Sequence, residues 1–246
     1  SLAFRTYRLN VMNRDGSNVR VLTGGLDRSV EAPQWDAAGR GLYFLYDDRG
    51  ERKVGYVNLS GQHRSIVENV GGTANSRPYV SGSYSVSENN AIAFTRGAAN
   101  RPADVAVSRN GRERKLTALN EDALGAKKLG DVNEIVYTSS VGNVEIQGWY
   151  ITPPDFDPNK KYPLVLEIHG GPHAAYGPHF SLEIQRYAAE GYVVFYNNHR
   201  GSDSYGEEFG LLLQYKYPSR DDFADHMSGV DAMLAKGFID EDQLYV

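Results

Sequence analysis

The chain has 246 residues, of which 41% are hydrophobic, and a formal net charge of −5 with both signs interspersed. That is enough apolar material for a buried core, and the absence of a basic block argues against nucleic acid as a partner. Cys is absent, which excludes disulfide frameworks, thiolate metal sites and cysteine nucleophiles; no apolar run approaches the roughly 18 residues that span a bilayer, so no membrane is expected.

From Tyr7 to Thr117, strand-like runs alternate with turn signals and nothing keeps helical spacing. Three segments align as copies of one unit: Asn10 to Thr23, Gly55 to Val67, and Val105 to Thr117. Each reads as a strand, a two-residue turn (Asp15-Gly16, Ser60-Gly61, Asn110-Gly111) and a second strand, because Gly, Asn and Asp tolerate the positive φ of tight hairpins. Further strands are expected at Gly41–Tyr46, which follows Pro33-Gln34-Trp35, and at Ala91–Thr95. The turns recur about every 45 to 50 residues with about four strands per period, the signature of a β-propeller blade. Residues 1–125 therefore read as a partial β-propeller of about two and a half blades, although closure takes roughly four or more. A β-sandwich is the alternative, and on either reading Ser1 is expected to lie within a domain, not at its edge.

Beyond Leu119 to Lys128 the pattern changes, and residues 126–246 read as the N-terminal half of an α/β-hydrolase domain. Glu134–Thr138 and Val144–Ile151 are strands joined across Gly142-Asn143, and Pro153, Pro154 and Pro158 end the second. Val165, Leu166 and Ile168 form a short apolar strand that stops at His169-Gly170-Gly171-Pro172. Phe180 to Glu190 is helical, closed by Gly191, and Tyr192–Tyr196 is an all-apolar strand of the doubly buried kind. Asp221 to Lys236 is a helix with Phe223, Met227, Val230 and Leu234 expected on its buried face, stopped by Gly237. Leu244 then opens a further strand. Alternation of strand and helix predicts a doubly wound sheet.

Two glycines at the end of a buried strand expose unshielded backbone N–H groups, which is how a main-chain oxyanion hole is built, and this points to acyl transfer. The matching nucleophile motif, Gly-x-Ser-x-Gly after the fifth strand, is absent from these residues. The nearest approach, Ser202-Asp-Ser204-Tyr-Gly206, follows the wrong strand and reads as a polar loop lining the site. The catalytic Ser, Asp and His are expected beyond Val246.

His169-Gly-Gly-Pro172 after an apolar strand resembles the oxyanion segment of the prolyl oligopeptidase family of serine peptidases, closest to its acylaminoacyl-peptidase and bacterial dipeptidyl-peptidase branch. Asn198-His-Arg-Gly-Ser-Asp-Ser-Tyr-Gly-Glu-Glu-Phe209 resembles that family's N-x-R-G-S-x-x-Y-G-x-x-F loop. Asp222-Phe-Ala-Asp225 with Gly229-Val-Asp231 is similar to its helix before the nucleophile strand, and Gly237-Phe-Ile-Asp240 to the turn that follows. A propeller N-terminal to an α/β-hydrolase is also this family's architecture. One departure is Tyr215-Lys-Tyr-Pro-Ser-Arg220, where the family often has Trp-Gly. The resemblance implies a fragment truncated at both ends and, in the intact protein, hydrolysis of short peptide substrates through an acyl-enzyme.

Residue by residue, the resemblance makes Gly171 an oxyanion donor within the loop Gly170-Gly171. His169 becomes a brace at a position where other branches carry a Tyr. Arg200 anchors the adjacent loop by ion pairing, with a purely structural salt bridge as the alternative, and Tyr205 lines the substrate pocket or simply packs. No metal or organic cofactor is implied. A homo-oligomer is not encoded by any visible heptad or patch, and composition leaves cytoplasm and bacterial periplasm both open. Two other functions remain: a non-catalytic propeller or binding module, and an α/β-hydrolase esterase, which usually carries a further glycine where Pro172 stands.

Overall fold

Turns organise the first half of the chain in the computed structural model, which describes residues 2–246. Strands β1 (Asn10–Val11) and β2 (Arg20–Val21) form a short antiparallel ladder. Next come β3 (Val30–Trp35), β4 (Gly41–Asp48), β5 (Glu51–Asn58) and β6 (His63–Val70), an antiparallel meander. A second meander follows: β7 (Tyr84–Val86), β8 (Ile92–Ala98), β9 (Arg101–Arg109) and β10 (Arg112–Lys115). One residue pair, Val70 with Arg96, joins the two meanders into a single eight-stranded sheet.

The three expected hairpins are present, but two of their turns are longer than expected. Asn13 N donates to Ser17 O and Gly16 N to Asn13 O; Asn58 and Gln62 repeat the pattern with Gly61. Each is thus a three-residue loop in which Gly alone takes positive φ, at 83° and 86°. Only Asn110-Gly111 is a two-residue turn, with both residues at positive φ and Arg109 paired to Arg112. The extra residue is stabilised by side chains: Asp15 Oδ1 accepts from Ser17 N, and Asn58 Oδ1 accepts from the backbone N–H of both Ser60 and Gln62.

Strand alternation places apolar side chains on both faces of the first meander. Leu42, Phe44 and Val57 pack toward the β1–β2 hairpin with Leu9 and Leu22. Leu45, Val54 and Val67 pack toward the second meander with Tyr84, Ile92 and Phe94. The meanders are therefore stacked face to face, each supplying the other's core.

After α1 (Glu121–Leu124), the second half builds a five-stranded mixed sheet. Its elements are β11 (Val132–Thr138), β12 (Glu145–Ile151), β13 (Tyr162–Glu167), α2 (Leu182–Ala189), β14 (Val193–Asn198), α3 (Glu207–Gly210), a single 3-10 turn at Leu211–Leu213, α4 (Arg220–Leu234) and β15 (Ile239–Tyr245). The strand order is β11-β12-β14-β13-β15; β13 runs parallel to both β14 and β15, while β11 and β12 are antiparallel. Every residue of β14 is buried, and its side chains alternate: Val194 and Tyr196 meet Ile184 and Ala188 of α2, whereas Val193 and Phe195 meet Val230 and Met233 of α4. The helices cover opposite faces, as the doubly wound pattern requires.

Two details differ from expectation. On α4 the buried side is Asp222, Asp225, His226, Gly229, Val230 and Met233, while Phe223 is 62% exposed and Met227 39%. Asp222 and Asp225 can hold the inner face because Ser219 and Arg200 pair with them there, and Phe223 and Met227 lie outward. The last strand begins at Ile239 opposite Tyr162, but Asp240–Gln243 bulge out before Leu244 resumes pairing with Leu164. Among the described residues, no helix is long and apolar enough to cross a membrane.

The two sheets meet along a closely bonded seam. The segment between the meanders lies against the second sheet: Tyr79 bridges Tyr176, Val80 N donates to Ala175 O, and Leu182 N donates to Asn75 O. Ser181 caps α2 by accepting from Ile184 N and donates its own proton to Ser76 O at 2.6 Å. Arg77 pairs with Glu167 at 2.7 Å, at the end of β13. The β4–β5 hairpin tip reaches the same seam, where a Cβ built on Gly177 would lie 1.8 Å from Gly50 O. Only glycine permits that approach.

Candidate active site

Because β13, β14 and β15 are parallel, their carboxyl ends open on one edge of the sheet, where open α/β folds carry their ligands. The chain leaving β13 is Ile168-His169-Gly170-Gly171-Pro172. His169 and Pro172 are buried and Gly170 and Gly171 are exposed between them. Among the described residues no hydrogen bond uses the N–H of Gly170 or Gly171. Two backbone donors thus stand free at the carboxyl edge, on a loop whose flanks are fixed.

His169 is fully buried and packs on neighbouring rings, stacked on His199 with centroids 4.8 Å apart and edge-on to Tyr176 at 5.0 Å. Its Nδ1 lies 3.1 Å from Gly170 O and its Nε2 3.1 Å from Ser202 Oγ. Burial, and after it the neighbouring His199, lower its pKa to about 4, so the ring is neutral at physiological pH. A neutral buried imidazole with polar contacts at both ends is a brace; Ser202 Oγ gives its own proton to His199 O at 2.7 Å, so the tautomer makes one of the two contacts the hydrogen bond. His226 on α4 is lowered to about 4 for the same two reasons. His199 Nε2 and His226 Nδ1 are buried without hydrogen-bond partners among the described residues.

The loop after β14 carries the other expected residues. Arg200 is 4% exposed and Asp225 of α4 is 0% exposed. Asp225 Oδ2 accepts from the backbone N–H and Nε–H of Arg200, and Oδ1 from Nη2 at 2.7 Å. Nη2 also donates to Val141 O and Ser139 Oγ. These hydrogen bonds to Asp225 raise the guanidinium's pKa further. The charge is consumed by this fork, so Arg200 anchors the loop to α4 and to the β11–β12 connection. Tyr205 is part-buried; its hydroxyl donates to Gln147 Oε1 at 2.6 Å and accepts from Asn198 Nδ2 at 2.8 Å, and burial raises its pKa. Both polar positions of that hydroxyl are therefore occupied by protein.

Sequence reasoning set Ser202 and Ser204 in a polar loop lining the site and Asp225 on the helix before the nucleophile strand, but gave none of them a partner. Ser202 reaches His169, Asp225 is the specific partner of Arg200, and Ser204 accepts from Gly50 N at 2.8 Å, 154 residues away. Apolar spacing hid Asp225, because it turned Phe223 and Met227 inward and left this acid off the expected buried face. Nothing local marks Ser204, because its partners lie in the other sheet. Among the described residues, no cluster of three or more His, Cys, Asp or Glu could hold a metal ion.

Comparison with known proteins adds an independent line. Residues 178–246 match the model of the prolyl oligopeptidase family, Peptidase_S9. The chain is 30% identical over 233 residues to the uncharacterized peptidase YuxL of Bacillus subtilis, covering 94% of this chain and 34% of that protein. It is 26% identical over 224 residues to dipeptidyl-peptidase 5 of Porphyromonas gingivalis, covering 89% and 31%. Among solved structures, the acylaminoacyl peptidase of Pyrococcus horikoshii superposes with a TM-score of 0.77 at 26% identity, over 92% of this chain and 34% of that one. An acylaminoacyl peptidase in complex with Z-Gly-Gly-Phe-chloromethyl ketone superposes at 0.78 with 25% identity, over 93% of this chain and 34% of that one. The chain thus spans about a third of the length of the proteins it matches.

Proposed function

The chain belongs to the prolyl oligopeptidase family, and from that premise we propose that it is part of a serine peptidase acting on short peptides. The observation that carries this reading is the pair of unoccupied N–H groups at Gly170 and Gly171, on the carboxyl edge shared by β13 and β15. A serine on the turn after β15 would stand beside that loop. Gly171 would then donate to the oxyanion of the tetrahedral intermediate, and the backbone N–H after the serine would supply the second bond.

In this reading residues 1–125 are part of a propeller. The meanders β3–β6 and β7–β10 are two blades and the β1–β2 hairpin belongs to a third. Residues 126–246 are the first half of the hydrolase, with the triad beyond Val246 in the chain order Ser, Asp, His. Attack by serine on the peptide carbonyl gives an acyl-enzyme, which water hydrolyses. Expected products are dipeptides or an acylated amino acid released from the N-terminus, in line with the peptide-like inhibitor held by one structural relative. Arg200 and Tyr205 would hold the loop that walls the substrate site.

The test is hydrolysis by the complete gene product of a dipeptidyl and an N-acetylaminoacyl 4-nitroanilide, with a fluorophosphonate as active-site label. Turnover of either substrate with stoichiometric labelling supports the reading, and failure of both sinks it. The 246 residues alone should take up no label; labelling of this chain would mean that one of its own serines is the nucleophile.

A further inference from the structure

We propose that Ser204 is a positioning residue through which the β4–β5 hairpin of the first sheet holds the glycine loop in place. It rests on the reading of Gly171 as an oxyanion donor, and it adds a cause for that donor's orientation. Three observations carry it.

First, the hairpin tip is bonded to Ser204 and to the loop that follows the glycines. Arg49 N donates to Ser204 O at 2.9 Å, Gly50 N donates to Ser204 Oγ at 2.8 Å, and His179 Nε2 donates to Gly50 O at 3.0 Å. Second, Ser204 sits at φ 82°, left-handed backbone that a side-chain-bearing residue avoids. Such a conformation persists where its surroundings over-determine it, and here both of its oxygens are engaged by one hairpin. Third, the residues just before Ser204 touch the glycine loop at three points. Asp203 N donates to Ala174 O at 3.1 Å, His173 Nδ1 donates to Gly201 O at 2.9 Å, and Ser202 Oγ meets His169 Nε2 at 3.1 Å. The hairpin's hydrogen bonds thus end on Ser204, and the two-residue stretch of backbone from Ser204 back to Ser202 connects them to the contact with the imidazole behind Gly170. Withdrawal of the hairpin would free Ser204 and remove the far support of that imidazole.

The complete gene product carries the test. Ser204→Ala and Ser204→Gly both delete the side-chain acceptor; alanine keeps the left-handed backbone strained and glycine relieves it, so the glycine variant folds even where the alanine variant does not. Nuclear magnetic resonance follows the His169 imidazole and the Gly171 amide. The expected result in the glycine variant is a His169 titration midpoint moved upward from about 4, a displaced Gly171 amide resonance, and about tenfold faster exchange at the Asp203 amide, which is bonded to Ala174 O, the order one lost hydrogen bond controls. Amides of β14 should keep their rates. The proposal is overturned if the Arg49 and Gly50 amides exchange faster while His169 and Gly171 behave as in the wild type, because Ser204 would then hold only the seam. Neither readout needs turnover, so either outcome leaves the peptidase reading to its own test.

Discussion

Arg200 and Asp225 carry full charges at 4% and 0% exposure, so each depends on the other for its solvation. Removing one partner strands a buried charge. Asp225→Ala is expected to cost about 3–5 kcal/mol in urea unfolding, far more than an exposed pair would. The imidazoles behave in the opposite sense. His169 and His226 are buried neutral, with folded pKa values of about 4 against 6.5 for the free ring. Between those values the unfolded chain binds more protons, so stability is full above the unfolded pKa and falls as pH drops through 6.5 toward 4. Each ring accounts for up to about 3 kcal/mol of that loss. His226→Phe should therefore flatten the dependence of the urea midpoint between pH 7 and 4.5, and an unchanged slope would assign the acid sensitivity elsewhere. At this scale the sequence indicated which groups matter better than whom they meet. Ion pairing of Arg200 was legible from its motif, whereas the Gln147–Tyr205–Asn198 chain was not, since Gln147 reaches Tyr205 from a strand 58 residues earlier.

The helix α4 shows where pattern reading meets its limit among elements. Counting apolar spacing placed Phe223 and Met227 inward, but the inner face belongs to Asp222, Asp225 and His226, together with Val230 and Met233. Apolar periodicity identifies a buried face only when buried positions are apolar, and here a charge pair and an imidazole occupy them. The start of the helix, by contrast, is written locally: Ser219 and Asp222 form a reciprocal capping box. Two substitutions separate the faces. Met233→Ala, at a fully buried position, should cost about 2–5 kcal/mol, while Phe223→Ser should stay within about 0.5 kcal/mol, both read as shifts of the urea midpoint. Equal effects would mean that the helix is rotated from the orientation described. The hairpins give the same lesson more mildly. Turn positions were legible from Gly and Asn, but loop length was set by Asx-type bonds from Asp15 and Asn58 that composition does not reveal.

For the molecule as a whole, what the sequence concealed is the seam. Repeats and strand–helix alternation indicated two kinds of sheet; nothing in either pattern says that they are bonded to each other through the Gly71–Ser83 segment, the Arg49-Gly50 tip and the N-terminal stretch, where Thr6 N donates to Glu207. A seam of that density predicts that both sheets unfold together. The two tryptophans make this measurable, since Trp35 is 52% exposed in the first sheet and Trp149 is 2% exposed in the second, facing Gly50. In Trp35→Phe, the remaining fluorescence reports Trp149 alone, and its thermal transition should coincide with that seen by far-ultraviolet circular dichroism; two separated transitions would show that the sheets melt as independent units. The Gly50–Gly177 contact adds a consequence for how such a molecule can diverge. Backbone meets backbone there, with no side chain on either partner to be exchanged for another. Compensating substitutions, the usual record of a contact kept through change, cannot accumulate at such a point. A search for co-varying positions would pass over this contact between the two halves, and a foreign partner grafted onto either half would have to bring its own glycine to this place.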